Sequence, residues 1–169
     1  IEELEGTFWT GAVSNDWFNA GNWSSNAVPT ASTNIIIPTG ITNMPFITNT
    51  TVANCKDITL QSGTTVRMVA GTPSPELNVK GNWVNNGNFD YAGSGASLVK
   101  FNGTSAQTLS GSTVLTLKSF EVDNSAGVNL NVELRADNIA LKNGIVLTSG
   151  TAKLNLFGGT FSRTNGWVN

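Results

Sequence analysis

Residues 77–91 read LNVKGNWVNNGNFDY, and this stretch contains the repeating unit from which the fold class follows. Apolar residues alternate with polar ones at Leu77 and Val79, and a spacing of two is typical of a half-buried β-strand. Asn86 and Gly87 then supply a tight turn, because both residue types tolerate a positive φ at low energetic cost. The stretch therefore predicts short strands joined by tight turns, with no helix.

The same unit recurs along the chain, with apolar-x-apolar pairs that begin 19, 22, 21 and 19 residues apart. The pairs begin at Ile58, Leu77, Val99, Phe120 and Ile139. A period of about 20 residues, built from short strands and turns, is typical of a β-solenoid. We predict an all-β fold, a right-handed parallel β-helix with coils of about 20 residues. The alternative is a β-sandwich, in which the same runs are antiparallel strands joined by hairpins.

The leader that precedes the repeats differs from them, because it holds three of the five tryptophans, Trp9, Trp17 and Trp23. The first coil of a solenoid leaves an open strand edge and an exposed end of the core, both of which need a cover. We therefore predict an N-terminal cap over residues 1–34 and solenoid coils over 35–169. Together they form a single folded unit, expected to be part of a longer chain.

The composition excludes several classes of function. The 169 residues include 22 Asn, 21 Thr and 18 Gly but no His, only 12% are charged, and the net charge is -2. Without His there is no His general base, no Ser-His-Asp or Cys-His system and no His-containing zinc site. The balanced charge predicts neither nucleic acid nor an anionic membrane as partner. The sequence contains no run of 18 apolar residues, so it predicts no insertion into a membrane either. We expect no catalytic residue, no cofactor and no metal.

Three further residues carry specific expectations. Cys55 has no second cysteine to pair with, and its strand-like surroundings predict a buried, small apolar side chain rather than a reactive thiol. Glu121 and Asp123 share a strand face at spacing two, which is compatible with the paired carboxylates of a glycosidase. That face is also where a solenoid places solvated charge, with no basic or aromatic residue expected beside it. An enzyme is therefore the weakest interpretation.

The leader FWTGAVSNDWFNAGNWSSNAVPTASTNIIIPTG (8–40), together with FNGTSAQTLSG (101–111), resembles the repetitive modules of large secreted and cell-surface proteins of Bacteroidota. Those modules carry a W-T-G…D-W…N-W…V-P…I-I-P leader, which is also similar to the start of autotransporter-type passenger repeats. The resemblance implies an extracellular or cell-surface β-helical module, exported by a type IX-like route. It implies no catalytic residues.

Two functional hypotheses follow besides the enzyme, which would act on polysaccharides. The first is a non-catalytic structural or adhesive module that extends or displays parts of a large surface or secreted protein. Its partners would be neighbouring domains of the same polypeptide, with glycans or end-to-end self-association as further possibilities. The alternative is a carbohydrate-binding module with Trp9, Trp17, Asn22 and Trp23 as contact residues, because flat indole faces beside amides suit sugar rings. The competing interpretation is that these indoles plug the end of the solenoid.

Overall fold

The computed structural model describes residues 6–48, 51–92 and 95–169. Within these residues the chain is almost entirely strands and turns, with one short 3₁₀ helix at Ala20–Asn22. The strands are β1 (Thr7–Phe8), β2 (Ile35–Ile37), β3 (Phe46–Ile47), β4 (Ala53–Cys55), β5 (Ile58–Leu60), β6 (Thr65–Val69), β7 (Glu76–Val79), β8 (Trp83–Asn85), β9 (Asn88–Ala92), β10 (Leu98–Phe101), β11 (Gln107–Gly111), β12 (Leu115–Asp123), β13 (Val128–Leu130), β14 (Leu134–Thr148), β15 (Leu154–Leu156) and β16 (Phe161–Val168).

The strands stack into three faces that wind around one interior. Face A consists of β4, β7, β10, the second half of β12, the middle of β14 and the start of β16. Face B consists of β1, β2, β5, β8, β11, β13 and the ends of β14 and β16. Face C begins with β3, β6 and β9 and continues with the first parts of β12 and β14 and with β15.

Every ladder between these strands is parallel, which confirms the predicted parallel β-solenoid, here with about six turns. The sandwich alternative is wrong, because strands joined by hairpins would pair antiparallel. Among the described residues, the antiparallel contact that is recorded is an isolated bridge between Trp9 and Trp23.

The predicted repeat is confirmed on face A from Leu77 to Ile139, but its first member, Ile58, was assigned wrongly. The hydrogen-bonded register stacks Leu77, Val99, Phe120 and Ile139 in one column, with the predicted offsets of 22, 21 and 19 residues. Ile58 lies instead on face B, between Ile35 and Trp83. The residue that precedes Leu77 in its column is Ala53, 24 positions earlier. All three faces turn alternate residues towards one interior, so the apolar spacing alone does not identify the face.

The interior is apolar and contains a run of packed aromatic rings. Trp83 stacks on Phe101 with ring centroids 6.2 Å apart and planes at 18°, and Phe101 meets Phe120 edge-on at 5.6 Å. Phe89 packs edge-on against Trp83 from face C. These rings belong to successive coils, so they join the coils into one continuous core.

A buried polar network occupies the corner between faces A and B. The Gln107 side chain donates from Nε2 to the carbonyls of Val79 (3.0 Å) and Gly81 (2.6 Å). Its Oε1 accepts from the Gly103 amide and from Asn124 Nδ2, both at 2.9 Å. Gln107 therefore satisfies backbone groups of the preceding coil and is itself satisfied by the following one.

The two ends of the solenoid differ. At the N-terminal end β1 pairs with β2, and its outer edge is covered because the Ser24 amide donates to the Phe8 carbonyl (2.9 Å). At the C-terminal end Phe157, Phe161 and Trp167 are 50 to 58% exposed on the last coil. The boundary of the cap at residue 34 stays a prediction.

Candidate functional site

The three tryptophans of the predicted carbohydrate site form one cluster in the interior. Trp23 meets Trp9 and Trp17 edge-on, with ring centroids 5.0 and 4.8 Å apart, and none of the three is more than 1% exposed. Their polar edges face inwards as well, since Trp23 Nε1 donates to the Trp17 carbonyl (2.8 Å) and Trp9 Nε1 to that of Asn43 (2.7 Å). The cluster packs the start of the core.

Asn22, the fourth predicted contact residue, is fully buried and holds the loop before it. Its Oδ1 accepts from the amides of Val13 (2.9 Å) and Ser14 (2.8 Å). Its Nδ2 donates to Ser14 Oγ (3.0 Å) and to the Asp16 carbonyl (2.8 Å). Both donors and both acceptor positions of the amide are therefore engaged within the protein.

The structure thus brings Trp9, Trp17, Asn22 and Trp23 together, but as a plug under the first coils. A sugar ring stacks on an exposed aromatic face, and none of these indoles presents one. The carbohydrate-binding interpretation of this cluster stays a prediction without geometric support.

Glu121 and Asp123, the candidate carboxylate pair, are held in separate structural interactions. Glu121 is only 6% exposed, and its two carboxylate oxygens lie 3.0 Å from Lys100 Nζ and 2.9 Å from Lys142 Nζ. Asp123 Oδ1 accepts from Asn143 Nδ2 at 2.6 Å. The expectation of solvated charge with no basic neighbour is wrong for Glu121, because the coils on either side each place a lysine against it.

Lys100 lies between the carboxylates of Glu76 and Glu121, and its charge state indicates the role of this group of side chains. Burial lowers the pKa of Lys100, but the hydrogen bond and the charge of Glu121, with a smaller contribution from Glu76, raise it above its usual value overall. Lys100 is therefore firmly cationic and cannot act as a base near neutral pH. The cluster is an ion-pair ladder that runs across face A.

Two further expectations concern the single cysteine and a possible metal site. Cys55 is fully buried, as predicted, and burial raises the pKa of its thiol, with the charge of Asp57 acting in the same direction. The structure groups no three His, Cys, Asp or Glu side chains into a possible metal site within residues 6–48, 51–92 and 95–169.

Parallel ladders on three faces, a single apolar interior and a covered first edge define a parallel β-solenoid. The chain belongs to the family described as "Domain of unknown function (DUF8693)", whose model matches residues 8–126. That region includes the tryptophan cluster and the coils as far as the turn before β13. No curated protein and no solved structure matches the chain.

Proposed function

We propose that this chain is a non-catalytic structural and adhesive module that extends or displays other parts of a longer protein. The observation that carries the proposal is the continuous parallel pairing of the coils from β4 to β16 on face A, where the β12–β14 ladder shifts its register by one residue between Val122 and Asp123. About six coils at ~4.8 Å give a spacer roughly 29 Å long. Because neighbouring coils share core and backbone hydrogen bonds, the spacer resists bending.

The environments of the acidic side chains support a non-catalytic role. Outside the Glu121 cluster, Asp90 pairs with Arg67 (2.9 Å), Asp137 with Lys118 (2.7 Å) and Glu133 with Arg135 (2.7 Å). These contacts join side chains on the outer surface of the coils. Each of these three carboxylates is therefore held in an ion pair on the wall of the solenoid.

We further propose an extracellular or cell-surface location, in a Bacteroidota-type protein exported by a type IX-like route. The resemblance of the leader supports this, as does a surface with few charged residues, which gives proteases such as trypsin few sites. In the part of the chain described, no helix has the length and apolar character required to span a bilayer.

A display experiment tests the proposed role. The chain is fused between an outer-membrane anchor and an epitope, and is compared under trypsin on whole cells with an unstructured Gly/Ser linker of equal residue number that carries the same nine Lys and Arg residues at the same positions. We expect the epitope to remain on cells that carry the chain and to be released rapidly from cells that carry the linker. Equal release from both would contradict a folded, protease-resistant spacer.

A further inference from the structure

A groove runs along the corner between faces A and B and crosses four consecutive coils. It has a volume of about 810 Å³, within the range of ligand sites. Its lining comes from equivalent corners of successive coils: Thr30–Ser32, Lys56–Asp57, Lys80–Asn82 and Thr104–Ala106. Hydroxyl, amide, ammonium and carboxylate groups line it, and the alanine methyl groups are its small apolar part.

Two lysines give the groove its positive charge. Cys55 pairs with Val79 in the ladder, so Lys56 and Lys80 follow at the same position on adjacent coils. The backbones of adjacent coils are ~4.8 Å apart along the solenoid axis. In the described residues neither lysine lies within ion-pair distance of a carboxylate, whereas Lys100, Lys118 and Lys142 all do. Both lysines lie just after their strands, at the corner of the coil, and are therefore available to a ligand that carries negative charge.

The remaining polar groups of the groove are held in place by the coil itself. Asp57 Oδ1 accepts from the Asn82 amide (2.6 Å), and Asn82 Oδ1 accepts from the Thr108 amide (2.9 Å). Lys80 Nζ donates to the Asn102 carbonyl (2.9 Å), which leaves two of its three N–H donors for a ligand. A fixed array of this kind lowers the entropy lost on binding.

Gly81 shows how closely the floor is packed. A Cβ atom at this position would collide with the carboxylate of Asp57, which would have to leave its hydrogen bond with the Asn82 amide. Asp57 is the one carboxylate in the groove, and its Oδ1 is engaged by the backbone. The groove therefore keeps a net charge of +1 from Lys56, Asp57 and Lys80.

We propose that this groove binds an acidic polysaccharide that lies along the solenoid axis. Such a chain supplies carboxylates for Lys56 and Lys80 and hydroxyls for the Thr, Ser and Asn side chains, and its sugar residues repeat at a distance close to the spacing of the coils. The inference rests on the proposed adhesive role and names the class of its target. The tryptophan cluster takes no part in it.

Binding of polygalacturonate tests the proposal, with neutral dextran and polyglutamate as comparison probes. Titration calorimetry at low salt is expected to show binding of polygalacturonate that weakens as salt is added, and none of dextran. The double variant Lys56→Gln/Lys80→Gln should bind at least tenfold more weakly. The matched control is Lys153→Gln, which removes an exposed lysine that precedes β15 on face C and should leave binding unchanged.

Three results would overturn the proposal: no binding of polygalacturonate by the folded chain, an equal loss in the Lys153→Gln control, or equally tight binding of polyglutamate. The last would show attraction to charge without recognition of sugar. Circular dichroism of each variant shows whether it is folded. None of these results bears on the rigid spacer, which the display experiment tests separately.

Discussion

At the scale of single residues, the reactivity of Cys55 measures whether the interior of the solenoid is accessible to solvent. Its thiol is fully buried on face A, and burial, aided by the charge of Asp57, raises the pKa of that thiol. The thiolate is the reactive form, so the native protein should be inert to thiol reagents. We expect no labelling by Ellman's reagent at pH 8 without denaturant, and one equivalent in guanidinium chloride. Labelling at the rate of a free thiol in native buffer would contradict the burial.

The environment of Glu133 predicts that the free energy of unfolding depends slightly on pH in the acid range. The hydrogen bond from Arg135 lowers the pKa of this carboxyl, and Asn155 adds a further hydrogen bond. The pKa of a glutamate in the unfolded chain is about 4.3, and a lower pKa in the folded protein stabilises the fold at pH values above this. That stabilisation is lost as the pH falls through the pKa of the folded state. Urea unfolding should therefore show Glu133→Gln less stable than wild type at pH 6. The difference should shrink towards pH 2, and a constant difference would exclude the ionic contribution.

At the scale of strands, β12 offers a matched pair of neighbours that face opposite ways. Leu117 is buried in the interior of face C, whereas the adjacent Thr116 is exposed. Leu117→Ala removes packed methyl groups and should lower the free energy of unfolding by about 2–5 kcal/mol. Thr116→Ala should change it by about 0.5 kcal/mol or less. Equal effects in denaturant titrations would mean that β12 does not present these two faces.

Strand periodicity explains which parts of the structure could be predicted from sequence. Alternation predicted the column from Leu77 to Ile139, because three successive coils keep nearly the same length there. It placed Ile58 in that column wrongly, because strands on faces A and B share one pattern. Face assignment depends on corner lengths, which the apolar spacing does not encode.

The same limit applies to the side-chain clusters. Glu121 meets Lys100 and Lys142, each 21 residues away in the sequence, and these contacts exist only once the register is known. Lys56 and Lys80 were missed in the same way, although the strings NCKD and NVKG place a lysine directly after the same strand in two successive units. The tryptophans were recognised as a group, but their burial depends on the loop that Asn22 holds.

At the scale of the whole molecule, the asymmetry of the two ends predicts where the solenoid opens first. The edge of β1 is covered by Ser24, whereas the last coil exposes Phe161 and Trp167 on β16 itself. Amides of β16 should therefore exchange with deuterium faster than those of β8 and β10, which lie between neighbouring coils. Uniform exchange across these strands in a mass-spectrometric time course would contradict stepwise opening from this end.

The central claim is that one rigid stack of parallel coils joins β1 to the last coil. The most direct test is a distance measurement by pulsed electron spin resonance, with spin labels at Ala27→Cys and Thr164→Cys in a Cys55→Ala background. Both labelled positions are exposed. About six coils at ~4.8 Å predict a single narrow distance of roughly 25–35 Å. A broad distribution, or a distance that matches an antiparallel sandwich with both labels at one end, would contradict it.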